Sequence, residues 1–385
     1  MTKCQKTTQE TGKETFSQKT SGTDIQFASF VGVDLHKCSV TLKAVNPVGK
    51  LIDSLKIDTK CVNKIDEWLK ALPRPCRMAV EAVTFVEWFI DRFRACVDRI
   101  DIADATELAL RRGKRRKNDD KDALDIAERL TRGECPLGFI ADEELMQLRK
   151  LGRHWRNLSR TMARAKHCMK SMLNAANIRG PQFDGASAQR WLLANGHLLK
   201  QAQREAFADF LDIILLIERQ REKLRRQIIF ANRRQCSVKM AILKSIPGID
   251  EIWGCIIAAE IGPFDRFPNA DALEFWAGLT PDNKESAGRT QSGSITKAGS
   301  ATLRWALCNA ALTLCQSDAH QEAVRKRLIT KIGKAKANVA MGRRLLRMLY
   351  AMIRDGSLYE RGESTHHLEA ANQARRKRKN RKEVA

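Results

Sequence analysis

Phe27-Ala-Ser-Phe-Val-Gly-Val-Asp34-Leu-His-Lys37 decides how the first third of the chain is read. Phe27, Ser29, Val31 and Val33 fall on one face of an extended strand, and Phe30, Gly32 and Asp34 fall on the other. That period of two is what a pleated strand imposes. Val40, Leu42 and Ala44 then alternate with Ser39, Thr41 and Lys43, and Asn46-Pro-Val-Gly49 reads as a turn into a third strand at Leu51 to Ile57. Three antiparallel strands are therefore expected to open the folded chain.

Outward from these strands the period changes. Val62, Ile65, Trp68, Leu69 and Leu72 recur at helical spacing until Pro73 and Pro75 end the pattern. A strand at Arg77 to Ala82, a helix around Glu87 to Val97, a strand at Ile100 to Ala103 and a helix from about Asp119 to Leu130 complete the series. The order β-β-β-α-β-α-β-α predicts a mixed sheet flanked by helices, the layout of ribonuclease-H-like nucleases.

From Leu145 the apolar positions Leu148, Leu151, Trp155, Leu158, Met162, Ala165, Met169 and Met172 step by three or four, and a second stripe runs through Phe207, Phe210, Ile214, Ile217, Leu224 and Ile228. Two long antiparallel helices forming a helical hairpin or coiled-coil arm are expected, with bundle packing and an oligomer contact both open as uses of the stripes. The section from Val238 to Tyr350 is helical with glycine punctuation. Within it Ile246-Pro-Gly-Ile249 has the form either of a helix-hairpin-helix turn, whose glycine lets backbone N–H groups approach a phosphate, or of a simple interhelical turn. Residues Gly278 to Gly299 concentrate hydroxyls, glycines and bases and read as a loop lined with phosphate donors.

Composition narrows the function. Lys and Arg outnumber Asp and Glu by 69 to 45 over 385 residues, a net charge of +24. Nucleic acid is the polyanion that best rewards such an excess, through release of its condensed counter-ions. No apolar run is long enough to span a membrane, and Met1 to Asp24 lacks the apolar stretch of a secretory signal, so a cytoplasmic protein is expected. Eleven cysteines are scattered singly from Cys4 to Cys315 with no Cys-x-x-Cys pair, which points to reduced thiols and away from a zinc ribbon. Six of the seven residues Arg111 to Lys117 are basic, as are seven of the eight from Arg375 to Lys382. The first run is placed to hold a polynucleotide backbone, and the second is expected to be disordered until it meets phosphate.

Four carboxylates carry the candidate chemistry. Asp34 leaves the first strand, Glu81 ends the fourth, and Asp119 and Asp122 share a face of the first turn of a helix that Asn118 would cap. Acids there also complement the helix dipole, so a purely structural role stays open for the last two. With the strands as neighbours, all four meet at one end of the sheet, where hard oxygen ligands would hold Mg²⁺ or Mn²⁺. Two such ions about 3.5 to 4 Å apart clamp the attacking and leaving oxygens of a phosphodiester. Asp120 and Asp125 are alternative ligands within the helix.

The order of motifs resembles the DEDD-type insertion-sequence transposases, the bridge-RNA-guided recombinases, from about Phe27 to Gly356. Gly32-Val-Asp34 with His36-Lys37, Val80-Glu81-Ala82 and Lys117-Asn-Asp119-Asp-Lys-Asp122-Ala123 are similar to the family's RuvC-like nuclease domain. Ser245-Ile-Pro-Gly-Ile249, Ala277-Gly-Leu-Thr-Pro281, Glu285-Ser286, Ile295-Thr-Lys-Ala-Gly299 and Leu303-Arg304 are similar to its transposase domain. Glu81-Ala-Val-Thr84 stands where the family has Glu-Ala-Thr-Gly, and Ala287-Gly288 where further serines often follow.

The resemblance implies metal ligation by Asp34, Glu81, Asp119 and Asp122, and a nucleophilic serine at Ser286, with Ser292 and Ser294 as alternative registers. It also implies a composite active site shared between protomers of a homo-oligomer, a circular double-stranded DNA intermediate and a guide RNA from the element's flank. The domains expected on this basis are a tail at 1–24, a RuvC-like domain at 25–135, a helical arm at 140–235, a serine-bearing transposase domain at 236–356 and a basic tail at 357–385. A metal-dependent nuclease without serine chemistry, and a nucleic-acid-binding protein whose catalytic site has decayed, are the competing functions.

Overall fold

The computed structural model describes residues 26–105, 107–108, 119–232, 237–286, 289–297 and 299–362, and the side chains among these except at 119, 237–238, 282–286 and 289–293. The tail at 1–24, the basic run Arg111 to Lys117, the expected cap Asn118 and the basic cluster Arg375 to Lys382 lie outside the described residues. The chain divides into two compact units, Met1–Ile140 and Ala141–Ala385.

The first unit is a six-stranded mixed sheet in the order β3-β2-β1-β4-β5-β6. Its strands are β1 Ser29–Leu35, β2 Val40–Val45, β3 Leu51–Ile57, β4 Cys76–Glu81, β5 Arg99–Ala103 and the short β6 Leu137–Gly138. β1, β2 and β3 run antiparallel as a meander, while β1, β4 and β5 are parallel neighbours. Parallel neighbours need crossovers, and α1 (Val62–Ala71) and α2 (Val86–Phe93) supply them.

Every residue of β1 is buried, because both faces of this strand are covered. Val31, Val33, Leu35, Val40, Leu42 and Ala44 pack with Ile65 and Leu69 of α1 and with Phe89 and Phe93 of α2. On the opposite face Phe30, Ala79 and Ala103 pack with Ile126, Ala127 and Leu130 of α3 (Asp119–Thr131). The division of β1 into a Val31/Val33 face and a Phe30/Gly32/Asp34 face is the one its alternation predicts.

In the second unit α4 (Glu143–Ala175) and α6 (Gln201–Asn232) are the two long helices. They run antiparallel: the Arg221 guanidinium lies 4.2 Å from the Trp155 ring centre near one end, and Met169 and Leu173 pack with Phe207, Leu211 and Ile214 near the other. The stripes therefore pack against each other within the chain. α5 (Gly185–Asn195) joins them through Trp191 against Phe207, ring centres 5.2 Å apart.

α7 (Ser237–Ser245), α8 (Glu251–Ile261), α9 (Ala270–Trp276), α10 (Ala301–Ser317), α11 (Ala319–Ile332) and α12 (Lys334–Asp355) form the rest. α8 is apolar around most of its circumference and is buried accordingly, with α4, α6, α7 and α10 packed on it. Short polar residues start these helices: Asp142, Asp184, Asp250 and Asn269 each accept a hydrogen bond from the backbone N–H three residues on.

Residues 281–286 and 289–295, expected as loop, instead pair as the antiparallel strands β7 (Pro281–Ser286) and β8 (Arg289–Ile295) of a hairpin. Polar residues occupy both faces of these strands, so no apolar alternation betrays them. The turn Ile246 to Asp250 joins α7 to α8 with Gly248 at φ 95°, a left-handed conformation that favours glycine. A Cβ at Gly248 would meet Ala310 O at 2.6 Å, so this glycine serves close packing on α10.

Candidate active site

Asp34 and Glu81 are placed by sheet register. Val33 pairs with Val80 across the parallel β1/β4 ladder, and Asp34 and Glu81 are the next residues along. Both project on the α3 side, since Gly32 precedes Asp34 by two and Ala79 precedes Glu81 by two. Asp122 reaches the same side through the helix. A Cβ at Gly32 would lie 2.0 Å from Ala123 O and 2.6 Å from Ala127 N, so only glycine lets α3 lie this close to β1. Asp122 is thereby carried, buried, onto the carboxyl end of the sheet.

Asp34 is 2% exposed and Asp122 8%, while Glu81 is half-buried. His36 Nε2 lies 3.3 Å from Asp34 Oδ2. Thr41, opposite Asp34 in register, is buried, and Lys43 Nζ lies 3.3 Å from Asp120 Oδ1. Asp125 accepts from Arg129 Nε at 2.8 Å. The two alternative helix acids thus contact basic side chains. One buried acid further along, Asp101, faces Arg77 at 2.8 Å and Arg99 at 3.2 Å, which marks it as a structural pair.

Asp34, Glu81 and Asp122 are thus on one face and at one end of the sheet, with Asp119 starting the same helix and its side chain outside the description. Among the described residues no three His, Cys, Asp or Glu side chains stand close enough together to hold a metal ion. The donor set nevertheless suits a hard divalent cation: carboxylate oxygens, two of the side chains withdrawn from water, where a buried charge is ordinarily paired or bound to metal.

The serine-bearing segment is built differently. Ser286 ends β7 and pairs with Arg289 of β8, while Ser292 stands opposite Asn283. Ser294 is exposed. The side chains of Ser286 and Ser292 lie outside the description. The hairpin base is fixed: Thr296 N donates to Thr280 O, and Lys297 N donates to Gly278 O. A Cβ at Gly299 would fall 1.9 Å from Trp276 O, so the returning chain lies on the end of α9. Arg304 Nη1 donates to Ala277 O at 3.0 Å and to Gly299 O at 2.6 Å, joining both legs to α10. Ser300 caps α10 by accepting from Thr302 N and Leu303 N.

The contacts of His36 and Lys43, the burial of Thr41 opposite Asp34 and the structural use of Arg304 are not encoded in local spacing. His36 and Arg304 lie inside family-like motifs, but nothing in their spacing shows what they touch.

Two family models match, in order, on separate stretches. Residues 31–178 match a DEDD family of the IS110 group described as "Transposase", and residues 240–328 match "Transposase IS116/IS110/IS902 family". Together they span more than half of the chain. This chain belongs to the DEDD-type insertion-sequence transposase family.

Relatives of this family member agree. It is 27% identical over 121 residues to the "Insertion element IS110 uncharacterized 43.6 kDa protein" of Streptomyces coelicolor, covering 31% of this chain and 30% of that protein. It is 27% identical over 134 residues to "Putative transposase y4pF/y4sB" of Sinorhizobium fredii, covering 34% of each. To "Putative transposase y4qE" of the same organism it is 24% identical over 207 residues, 52% of this chain and 49% of that protein. The matched stretches thus span about a third to a half of these relatives. Among the described residues no helix is long and apolar enough to cross a membrane.

Proposed function

We propose that this chain is a DNA transposase that cuts and rejoins phosphodiester bonds of an insertion sequence, with a divalent-metal site and a serine nucleophile. The observation that carries the reading is that Asp34, Glu81 and Asp122 share one end of the α3 face, in a chain whose two stretches match insertion-sequence transposase families in order. Double-stranded DNA is the substrate, a bridge RNA the guide and a homo-oligomer the working form. α4 and α6 are the coiled-coil arm, and α7 and α8 are the helices of a helix-hairpin-helix.

Asp34, Glu81, Asp119 and Asp122 would hold Mg²⁺ or Mn²⁺, which when bound supplies Lewis-acid polarisation of phosphate oxygens. The chain's own residues do the rest. Asp34 and Asp122 hold their oxygens in a water-poor layer between β1 and α3. The Ser286 hydroxyl gives up its proton to a base or water and attacks phosphorus. An Oγ–P bond forms as a DNA P–O bond breaks, and the departing strand oxygen takes a proton. A second strand's hydroxyl then reverses the exchange, so the phosphoester count is unchanged and no external energy source is needed. Lys284, Arg289 and Lys297, near Ser286 in sequence, would offset the phosphate charge.

The test is recombination by the purified full chain with Mg²⁺, labelled donor and target DNA, and RNA transcribed from the element's flank. Joined product from the wild type and none from Ser286→Ala or Asp122→Ala is expected. Hydrolytic nicking that persists in Ser286→Ala, with no joined product from the wild type, would replace this reading with a water-using nuclease.

A further inference from the structure

Where α4 crosses the end of α8, cations accumulate in a way packing alone does not require. Gly152 lets α4 approach Ile256, where a Cβ would stand 3.3 Å from Ile256 Cγ1. Arg149 then donates to Ala259 O at 2.7 Å and Glu260 O at 3.1 Å, the carbonyl end of α8. Arg153 forks onto the buried Glu260 carboxylate at 3.0 and 3.4 Å. Those two arginines have structural partners.

The next turn does not follow that pattern. Arg156 is half-buried, and among the described residues its Nε has no hydrogen-bond partner. Burial and then the neighbouring Arg160 lower its pKa, while Glu260 alone acts in the other direction. Arg304, the residue that joins the hairpin base to α10, has its pKa lowered by burial and then by Arg156. Arg160 and Arg164, both exposed, line with Asn157 and Thr161 a half-open groove of about 270 Å³. The half-buried Arg156 guanidinium thus has Arg160, one turn along α4, and Arg304 of α10 as cationic neighbours, while its acidic neighbour Glu260 is already engaged by Arg153. Like charges held together cost stability unless an anion completes the site.

We propose that Arg156 and Arg160 of α4, with the charge of Arg304 behind them, form a seat for a nucleic-acid phosphate at the base of the β7–β8 hairpin. Guanidinium groups match phosphate in geometry and charge, and Asn157 and Thr161 add neutral polar groups along the same groove. The seat rests on the transposase reading for its partner, since it would hold a strand next to the segment that bears Ser286. Its chemistry is shared by duplex DNA and by guide RNA.

The test is equilibrium binding of the full chain to a labelled DNA duplex and, separately, to a labelled RNA hairpin, across a salt series. Arg156→Gln and Arg160→Gln should each weaken binding about tenfold on at least one of the two and flatten the salt slope by about 0.9 on duplex. Arg226→Gln, an exposed arginine of α6, should leave the slope unchanged. Loss on DNA alone assigns the seat to the recombining strands, loss on RNA alone to the guide, and loss on both to either.

A second readout separates a ligand seat from a structural role. Without nucleic acid, Arg160→Gln should raise Tm by about 1 to 2 °C at low salt, because it relieves repulsion. Unchanged affinity and slope in both variants, an equal loss in Arg226→Gln, or a drop in Tm for Arg160→Gln would overturn the seat. None of these would touch the transposase reading, which falls only if the wild type gives neither joined product nor a covalent adduct.

Discussion

At Gly32 the backbone of α3 comes so close to β1 that a Cβ would sit 2.0 Å from Ala123 O, and at Gly299 the chain lies so close to α9 that a Cβ would sit 1.9 Å from Trp276 O. Both glycines bring a functional segment to its place by backbone-to-backbone contact. Their surroundings differ. Gly32 lies in a fully buried strand between two apolar layers, so the carboxylates beside it inherit a rigid, dry position. Gly299 lies at the foot of a hairpin joined to α10 by the hydrogen bonds of a single arginine. The proposed metal site thus rests on packing, and the proposed serine site on hydrogen bonds as well.

That contrast is most easily broken at the glycines themselves. Gly32→Val should destabilise the first unit by about 3 kcal/mol, because neither β1 nor α3 can withdraw without opening a core layer. Gly299→Ala should cost about 2 kcal/mol, because its Cβ meets the backbone of Trp276 but only one hairpin leg, not a two-sided core, has to move, and it should lose most joined product. Urea denaturation of each variant beside a recombination assay checks the pair, and equal stability losses would show that the two sites are built alike.

Next in size is Asp122→Asn. Cleavage should fall on the order of 100-fold or more while Tm stays within about 2 °C, because a buried carboxylate serves the cation more than the fold. A fold collapse in this conservative variant, seen by circular dichroism, would make Asp122 a structural acid instead. Arg304→Gln should cost about 1 to 3 kcal/mol through the carbonyls of Ala277 and Gly299 it leaves behind. Its recombination defect should exceed that of an equally destabilised variant in the first unit, such as Ile65→Val. Equal defects would remove Arg304's special hold on the hairpin.

The smallest effect is on acid stability. The Cys76 backbone N–H and then Arg74 hold Asp98 below the ordinary carboxylate value of 3.8. A depressed folded pKa contributes stability that is present above 3.8 and lost as pH falls through the lower folded value. Asp98→Asn should therefore cost stability at neutral pH and flatten the fall below about pH 4. Because Asp98 is substantially exposed, the change should be slight. An acid limb steeper than that of the wild type would contradict the assignment.

How much of this was legible in the chain follows from the kind of order each region uses. Strands β1, β2 and β3 and the helices after them announce themselves through Val31, Val33, Val40, Leu42, Ile65 and Leu69, because a two-sided core needs apolar residues at fixed periods. That Asp34, Glu81 and Asp122 fall on one face at one end of the sheet was readable as an expectation, but what brings α3 there was not. Gly32 looks like any strand glycine until α3 is laid upon it. The hairpin stayed hidden because the sequences Pro281–Ser286 and Arg289–Ile295 carry no apolar alternation. The role of Arg304 depends on carbonyls 27 and 5 residues away, which no local pattern encodes.

The most direct test of the account is peptide mapping by mass spectrometry of the protein–DNA adduct, trapped by denaturing the reaction of the full chain with Mg²⁺, guide RNA and a DNA substrate. The account predicts a nucleotide-bearing phosphate on Ser286, absent in Ser286→Ala and in Asp34→Ala. A phosphate found instead on Ser292 or Ser294 would move the nucleophile along the hairpin. Strand cleavage with no covalent adduct on any serine would contradict the central claim.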